Sequence, residues 1–325
     1  MVRSGGCLGA FCLALGGTAC LAAGVGDYPN RPVRMIVPQA PGSASDTGAR
    51  IIAGELTKYL GQQIVVDNRP GGALLLGLEL TAKAPSDGYT IAYGMIGALA
   101  ISPNVVSKPP LDVQKELAPI VQMTTGQLLL AAGNSTSIKS VRDLVAYAKQ
   151  NPGKLNYASS GNGTPGHVGF ELFKAMTGTL IVHVPYKGGA AGIADLMAGQ
   201  VQLMLESTNS ITPHVKAGRV RGLATTGPTR TAALPDLPTV AEAGVPGYEA
   251  TTWNGIVAPA GLPRPLVVRL NAELNKVVAS PAFREKVAPL GAEPAGGTPE
   301  QFRDFIRSEH AKWGDIVRRS GAKID

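Results

Sequence analysis

The sequence predicts an α/β protein built on parallel or mixed sheets, and three observations point there. Short apolar runs such as Val33–Val37 (VRMIV) alternate with segments whose apolar residues recur at helical spacing. Gly-rich and Ser-rich turns follow the strands and open the helices. At 325 residues and 44% hydrophobic, the chain is long enough for about two domains and apolar enough for a sizeable core. The same figures exclude a disordered chain, and the absence of a Gly period or a long heptad run excludes collagen and coiled coil.

After Val33–Val37 comes a loop over 38–45. Ala49, Ile52, Ala53, Leu56 and Leu60 then mark an amphipathic helix, with Ser45 as its N-cap, Asp46 in its first turn and Gly61 as its stop. Strands follow at 64–66 and 89–93. Ser140-Val-Arg-Asp143 resembles a capping box, with Asp in place of Glu, and opens a helix reaching Lys149. Strand 155–158, helix 167–176, strand 180–184, helix 190–197 and strand 201–205 alternate. Beyond Pro263 the pattern is helical over 266–279, 282–290 and 300–319. No repeat, low-complexity tract or long linker interrupts the chain, so two domains would be discontinuous rather than consecutive.

Residues 1–26 read as an address. They hold one basic residue, Arg3, no acid, and a small apolar run over 7–23, the pattern of a secretory signal. Cleavage would fall after Ala22 or Gly24. The alternative is a lipoprotein anchored through Cys20, although Gly17 stands where Leu is usual. The run is too short and Gly-rich for a span of about 20 apolar residues. All three cysteines (7, 12 and 20) lie in this segment, so nothing after it can form a disulfide or a thiolate metal site. Without Arg3 the chain carries 29 basic and 23 acidic residues, so its charge falls from +7 to +6. No basic run exceeds Arg318-Arg319 and no basic patch carries interleaved aromatics, which argues against nucleic acid as a partner. A mild positive field suits small anions.

Four turns at strand ends carry the chemistry. Gly161-Asn-Gly163-Thr164-Pro165-Gly166 matches the dinucleotide fingerprint, but the next strand offers no acid for a ribose and Pro165 removes an N–H. Without the cofactor, a Gly-rich strand–helix turn remains whose backbone N–H groups and helix dipole suit a carboxylate. Pro41-Gly42-Ser43-Ala44-Ser45-Asp46 is a second such turn, Gly94-Met-Ile96-Gly97 a third and Glu206-Ser-Thr-Asn209 a fourth. Open α/β sheets place their ligands at such strand ends. His167 could hydrogen-bond a ligand or serve its helix start. Asp46 could meet a ligand or stabilise its own helix. An unpaired Glu206 would repel an anion unless it met a cation, an amine or a hydroxyl. Lys187 is the nearest basic residue to these motifs. No nucleophile–base pair, P-loop or metal-ligand spacing appears, so neither catalysis, cofactor nor metal is expected.

Taken in order, the motifs resemble the Bug-type solute-binding receptors of tripartite tricarboxylate transporters. The matching stretches are Tyr28-Pro-Asn-Arg-Pro-Val33, Pro41-Gly42 with Asp46, Val66-Asp-Asn-Arg-Pro-Gly71, Ala84-Pro-Ser-Asp-Gly-Tyr89, Pro152-Gly-Lys-Leu-Asn-Tyr-Ala158, His183-Val-Pro-Tyr-Lys-Gly188 and Leu234-Pro-Asp-Leu-Pro-Thr-Val-Ala-Glu-Ala-Gly244. Ala258-Pro-Ala-Gly-Leu-Pro263 and Gly291-Ala-Glu-Pro294 extend the likeness toward the C-terminus. The resemblance implies a type II periplasmic-binding-protein fold, with two α/β domains over 27–125 plus 251–325 and over 126–250. Crossover strands would join the domains around a ligand cleft. It further implies a monomer in the periplasm that captures a small organic carboxylate and delivers it to membrane transporter subunits. Gly42, Ser43, Ala44, Ser45, Asp46 and Ile96 would face the ligand from one side, and Ser159, Gly161, Gly163, Thr164, His167 and Glu206 from the other. The sequence departs from the family at Ser43, where a second Gly is usual, at Ala73-Leu-Leu-Leu76, where a Gly-rich stretch is usual, and at Glu206-Ser207, often Asp-Asn. The Leu run reads as a helix start, or as an apolar side of the cleft. Two alternatives remain: a ligand-loaded component acting on a membrane sensor, and an exported enzyme.

Overall fold

The computed structural model describes residues 1–2, 27–231 and 233–320. From residue 3 onward the expected leader, with its cleavage positions and Cys20, lies outside the described residues. The first elements are β1 (Val33–Val37), α1 (Ala44–Leu60), β2 (Ile64–Asn68), α2 (Leu75–Ala82), β3 (Thr90–Met95), α3 (Ser102–Val105) and α4 (Val113–Glu116). There follow β4 (Leu117–Gly133), α5 (Val141–Gln150), β5 (Asn156–Ser159), α6 (Pro165–Thr177), β6 (Val182–Pro185), α7 (Gly189–Ala198), β7 (Leu203–Ser207), α8 (Thr208–Lys216) and β8 (Val220–Thr225). The chain finishes with β9 (Thr251–Pro259), α9 (Arg264–Ala279), α10 (Pro281–Val287), β10 (Ala292–Pro294) and α11 (Pro299–Ser320).

The strands form a mixed sheet in the order β2-β1-β3-β9-β4-β7-β5-β6, with β8 and β10 also on β4. The parallel units sit at the two ends: β1 pairs with β2 and β3, and β5 with β6 and β7. Between them run the antiparallel β4 and β9. Residues Leu117 to Gln127 of β4 pair with β9, whereas Leu128 to Gly133 pair with β7 and β8. One long strand thus passes from one parallel unit to the other. The core is correspondingly continuous, with Met35, Ile36, Tyr157, Phe170, Phe173, Phe302 and Trp313 all buried in one cluster. A smaller cluster of Leu129, Ile193, Leu196, Met204 and Ile211 packs under α7. The buried Glu309 carboxylate accepts the indole N–H groups of Trp253 (2.9 Å) and Trp313 (3.1 Å), tying α11 to β9.

The local signals mostly act as expected. Ser140 caps α5 by accepting the Asp143 N–H, and Asp143 reaches back to the Lys139 N–H rather than to that of Ser140. Gly61 ends α1 in the left-handed conformation. The N-cap of α1 is Ser43, not Ser45: Ser43 has extended backbone and its Oγ accepts the Asp46 N–H at 3.2 Å. The positive φ of Gly42 turns the chain two residues earlier than the apolar pattern suggests, so Ser45 falls inside the helix. β2 and β3 run two residues beyond the expected strands, β6 starts two residues later than expected, and α6 opens at Pro165, capped by Thr164. The sequence pattern gives no signal for α3, α4, β4, α8, β8, β9 or β10.

The Leu run does start a helix, but through strained backbone. Ala73 and Leu74 both have positive φ, 51° and 75°, where a Cβ is crowded. The position thus uses two side-chain-bearing residues where glycine would be relaxed. Ala73→Gly is expected to leave the fold intact and raise stability by about 0.5–1 kcal/mol, read as a higher urea midpoint with unchanged slope.

Candidate functional site

Four helices start at one place. The N-terminal residues of α1 (Ser43, Ala44, Ser45), α6 (Thr164, Pro165), α7 (Gly188, Gly189, Ala190) and α8 (Ser207, Asn209, Ser210) all line one cavity of about 600 Å³. The starts of α1, α7 and α8 present N–H groups without intrahelical acceptors, and each of the four starts carries about half a positive charge; at α6 Pro165 has no N–H and the Thr164 N–H is bonded to the Gly161 carbonyl. The arrangement follows from topology, because α1, α6, α7 and α8 each follow the C-terminal end of a parallel-sheet strand. The floor comes from the crossover strands, through Thr124, Thr125, Gln127, Trp253 and Asn254. Ile52, Leu74, Met95, Ile96, Phe283 and Leu290 give it apolar parts. A second hollow of about 400 Å³, between Val141 of α5 and Pro246, carries none of the four strand-end turns.

Seven of the expected residues line the cavity: Gly42, Ser43, Ala44, Ser45, Ile96, Thr164 and Glu206. Asp46, Ser159, Gly161, Gly163 and His167 are not among the lining residues; they stand behind its wall and hold it. The buried Asp46 carboxylate accepts the Gly42 N–H (2.9 Å), the Asn68 side-chain N–H (3.0 Å) and the Arg50 guanidinium (3.0 Å). Burial alone would raise its pKa, but those bonds outweigh it and hold the group below the usual carboxylate range. Asp46 therefore fixes the 41–46 turn from beneath.

The 159–167 turn rests on stacked rings. His167 lies 4.1 Å from His183, His183 lies 4.8 Å from Tyr157, and Tyr157 stacks on Phe170 at 3.9 Å. His167 Nδ1 accepts the Gly163 N–H at 3.2 Å, so that nitrogen carries no proton. His183 Nε2 sits 2.7 Å from the hydroxyl of the fully buried Ser159. Burial first, then the neighbouring His167 and Lys174, push the His183 pKa down to about 3, and burial likewise lowers that of His167. Both rings are neutral at pH 7 and serve as packing and acceptors.

Glu206 and Lys187 meet the same cavity; among the lining residues they are the one carboxyl and the one cation. Glu206 is 7% exposed and its Oε1 accepts the Ser207 N–H at 2.8 Å. Its Oε2 is buried without a partner, as is Asn254 Oδ1. Burial raises the Glu206 pKa, opposed by the Ser207 N–H and by the Ser207 and Ser160 hydroxyls nearby. The sequence reading missed the floor residues. Their signal would have been strands 117–133 and 251–259, whose polar centres obscure the alternation.

An α/β fold of two parallel units joined by crossover strands, with helix starts converging between them, is that of a type II periplasmic binding protein. The model of the tripartite tricarboxylate transporter family receptor (TctC) matches residues 48–322, and the chain belongs to that family, whose members are binding receptors rather than enzymes. It is 40% identical over 291 residues to a protein of the tcbD–tcbE intergenic region of Pseudomonas sp. strain P51, covering 89% of this chain and 86% of that one. It is 36% identical over 310 residues to protein BugT of Bordetella pertussis, covering 94% and 95%. Among solved structures, Rpa4515 of R. palustris with adipate superposes with a TM-score of 0.84 at 37% identity, covering 92% of this chain and all (100%) of that one. MatC (Rpa3494) from Rhodopseudomonas palustris with bound malate gives 0.80 at 29% identity, covering 89% and 100%. Among the described residues no helix is long and apolar enough to cross a membrane.

Two expectations follow. Asp46→Ala leaves the Gly42 and Asn68 donors unpaired and is expected to cost about 1–3 kcal/mol of stability, measured by urea unfolding. Because the His183 pKa is lowered on folding from about 6.5 to about 3, its contribution is full above pH 6.5 and declines as pH falls through that window. His183→Gln should therefore flatten the loss of melting temperature between pH 6.5 and 4 relative to wild type.

Proposed function

We propose that this chain is a periplasmic receptor that closes on a small organic carboxylate in the four-helix cavity and hands it to a membrane transporter. The convergence of four helix starts carries the reading. A carboxylate placed there replaces its lost hydration with fixed N–H donors, and the single cation, Lys187, adds to the field. Two relatives of solved structure hold adipate and malate, which are acids of the size such a cavity holds. In this reading Gly42, Ser43, Ala44, Ser45, Ile96, Thr164 and Glu206 meet the ligand, while Asp46, Ser159, Gly161, Gly163 and His167 position the turns. The moving bodies are 27–125 plus 251–325 and 126–250. The change of β4 partner after Gln127, and the Ala250 N–H bonded to Thr226 just before β9, support hinges at those points.

In a panel of monocarboxylates, dicarboxylates, amino acids and aromatic acids, at least one acid is expected to raise the melting temperature by several degrees at saturating concentration, without turnover. No shift with any acid would overturn the reading. Ser45→Leu, which fills the cavity from α1, is expected to weaken that acid at least tenfold while the protein without ligand melts within a few degrees of wild type. Unchanged affinity would place the site elsewhere.

A further inference from the structure

Glu206 poses a chemical problem for an anion receptor. It is the one carboxyl among the lining residues, and it is buried. Oε1 accepts the Ser207 N–H, while Oε2 has no partner. Oε2 lies against Gly189 at the start of α7, so close that a Cβ on Gly189 would stand 2.7 Å from it. It does not cap that helix, because neither oxygen accepts an α7 N–H.

The elements around β7 bring few titratable groups. These are Tyr157 on β5, which with Lys174 binds Glu171 of α6, His167 on α6, His183 on β6, Lys187 before α7, the Tyr186–Asp195 pair, bonded to each other at 2.7 Å, and His214 and Lys216 on α8; β4 brings none between Gln127 and Ala132. None of them hydrogen-bonds or ion-pairs with Glu206, and the nearby Ser160 and Ser207 hydroxyls, which favour the ionised form, give Oε2 no hydrogen bond. An ionised carboxylate would thus be buried with one oxygen unsatisfied and, in a loaded receptor, beside a second anion. A neutral acid fits the same atoms: its carbonyl oxygen accepts from Ser207, and its hydroxyl lacks only an acceptor. A carboxylate in the cavity is such an acceptor.

We propose that Glu206 works as a neutral carboxylic acid that donates its Oε2 proton to a ligand carboxylate oxygen, so that capture by a receptor whose Glu206 is ionised when empty takes up one proton from solvent. The inference rests on the carboxylate-receptor reading. It makes Glu206 a specificity residue: a diacid or monoacid gains a short charge-assisted hydrogen bond, and a ligand group that can only donate gains nothing there. The linkage also has a direction. Above the Glu206 pKa each unit of pH costs up to tenfold in affinity; below it the affinity is flat.

The test is calorimetric titration of wild type, Glu206→Gln and Glu206→Ala with adipate and with malate, and with every acid that shifts melting, at pH 6, 7 and 8. Each is run in two buffers of different ionisation enthalpy. Wild type is expected to weaken as pH rises and to take up a fraction of a proton on binding that grows toward one between pH 6 and 8. Glu206→Gln, which keeps an N–H donor, should bind within a few-fold of wild type at pH 6, with no pH dependence and no proton uptake. Glu206→Ala should bind at least tenfold more weakly at pH 6. Carboxylate binding that is flat with pH and equal in all three proteins overturns this inference and leaves the receptor reading standing. Binding that strengthens with rising pH, or is lost in Glu206→Gln, shows an ionised Glu206 meeting a donor and also overturns it. No binding of any acid by wild type overturns both.

Discussion

Everything in this structure that bears on a ligand depends on unpaired N–H groups at the start of a helix. Such groups must find an acceptor outside the helix, and they carry a partial positive charge that falls off within a turn. One helix start is common and says little. Here α1, α7 and α8 bring theirs to the same cavity of about 600 Å³, joined by the start of α6, and the sheet order makes them do so. Strand direction fixes which end of each helix arrives, and β4 and β9 fix the distance between the two parallel units.

The residues behind the wall matter as much as those on it. The Asp46 carboxylate holds the Gly42 N–H and Asn68, and so sets the turn that places Ser43 and Ser45. His167 holds the Gly163 N–H, backed by a stack running through His183 and Tyr157 to Phe170. These groups look like chemistry in the sequence, being a carboxylate and two imidazoles near Gly-rich turns. In space they are committed to the protein. Hydrogen bonding keeps the acid ionised and burial keeps the rings neutral, which suits fixed scaffolding better than exchange of protons.

What could be read from the sequence divides along the same line. Features carried by neighbouring residues were legible: the VRMIV strand, the Ser140 cap, the Gly61 stop and the four strand-end turns. The α1 cap was misplaced by two residues because the positive φ of Gly42 decides it, and periodicity does not report φ. The 17-residue β4 escaped because Gln122, Thr124, Thr125, Gly126 and Gln127 interrupt its apolar run where it passes under the cavity. Its pairing with β9 joins residues more than 120 positions apart, so no local signal marks it. α8 was hidden by Pro213 and its β-branched residues. The sequence singled out Glu206 and Lys187, but only the fold shows that they share one cavity.

The central claim is that helix-start N–H groups from both parallel units hold one carboxylate. The most direct measurement is a crystal structure with adipate or another acid selected by melting shift. The account predicts carboxylate oxygens within about 3 Å of backbone N–H groups of Ala44 or Ser45 on one side and of Gly189, Ala190, Asn209 or Ser210 on the other. An acid held by one unit alone, or seated in the hollow between Val141 and Pro246, would contradict it.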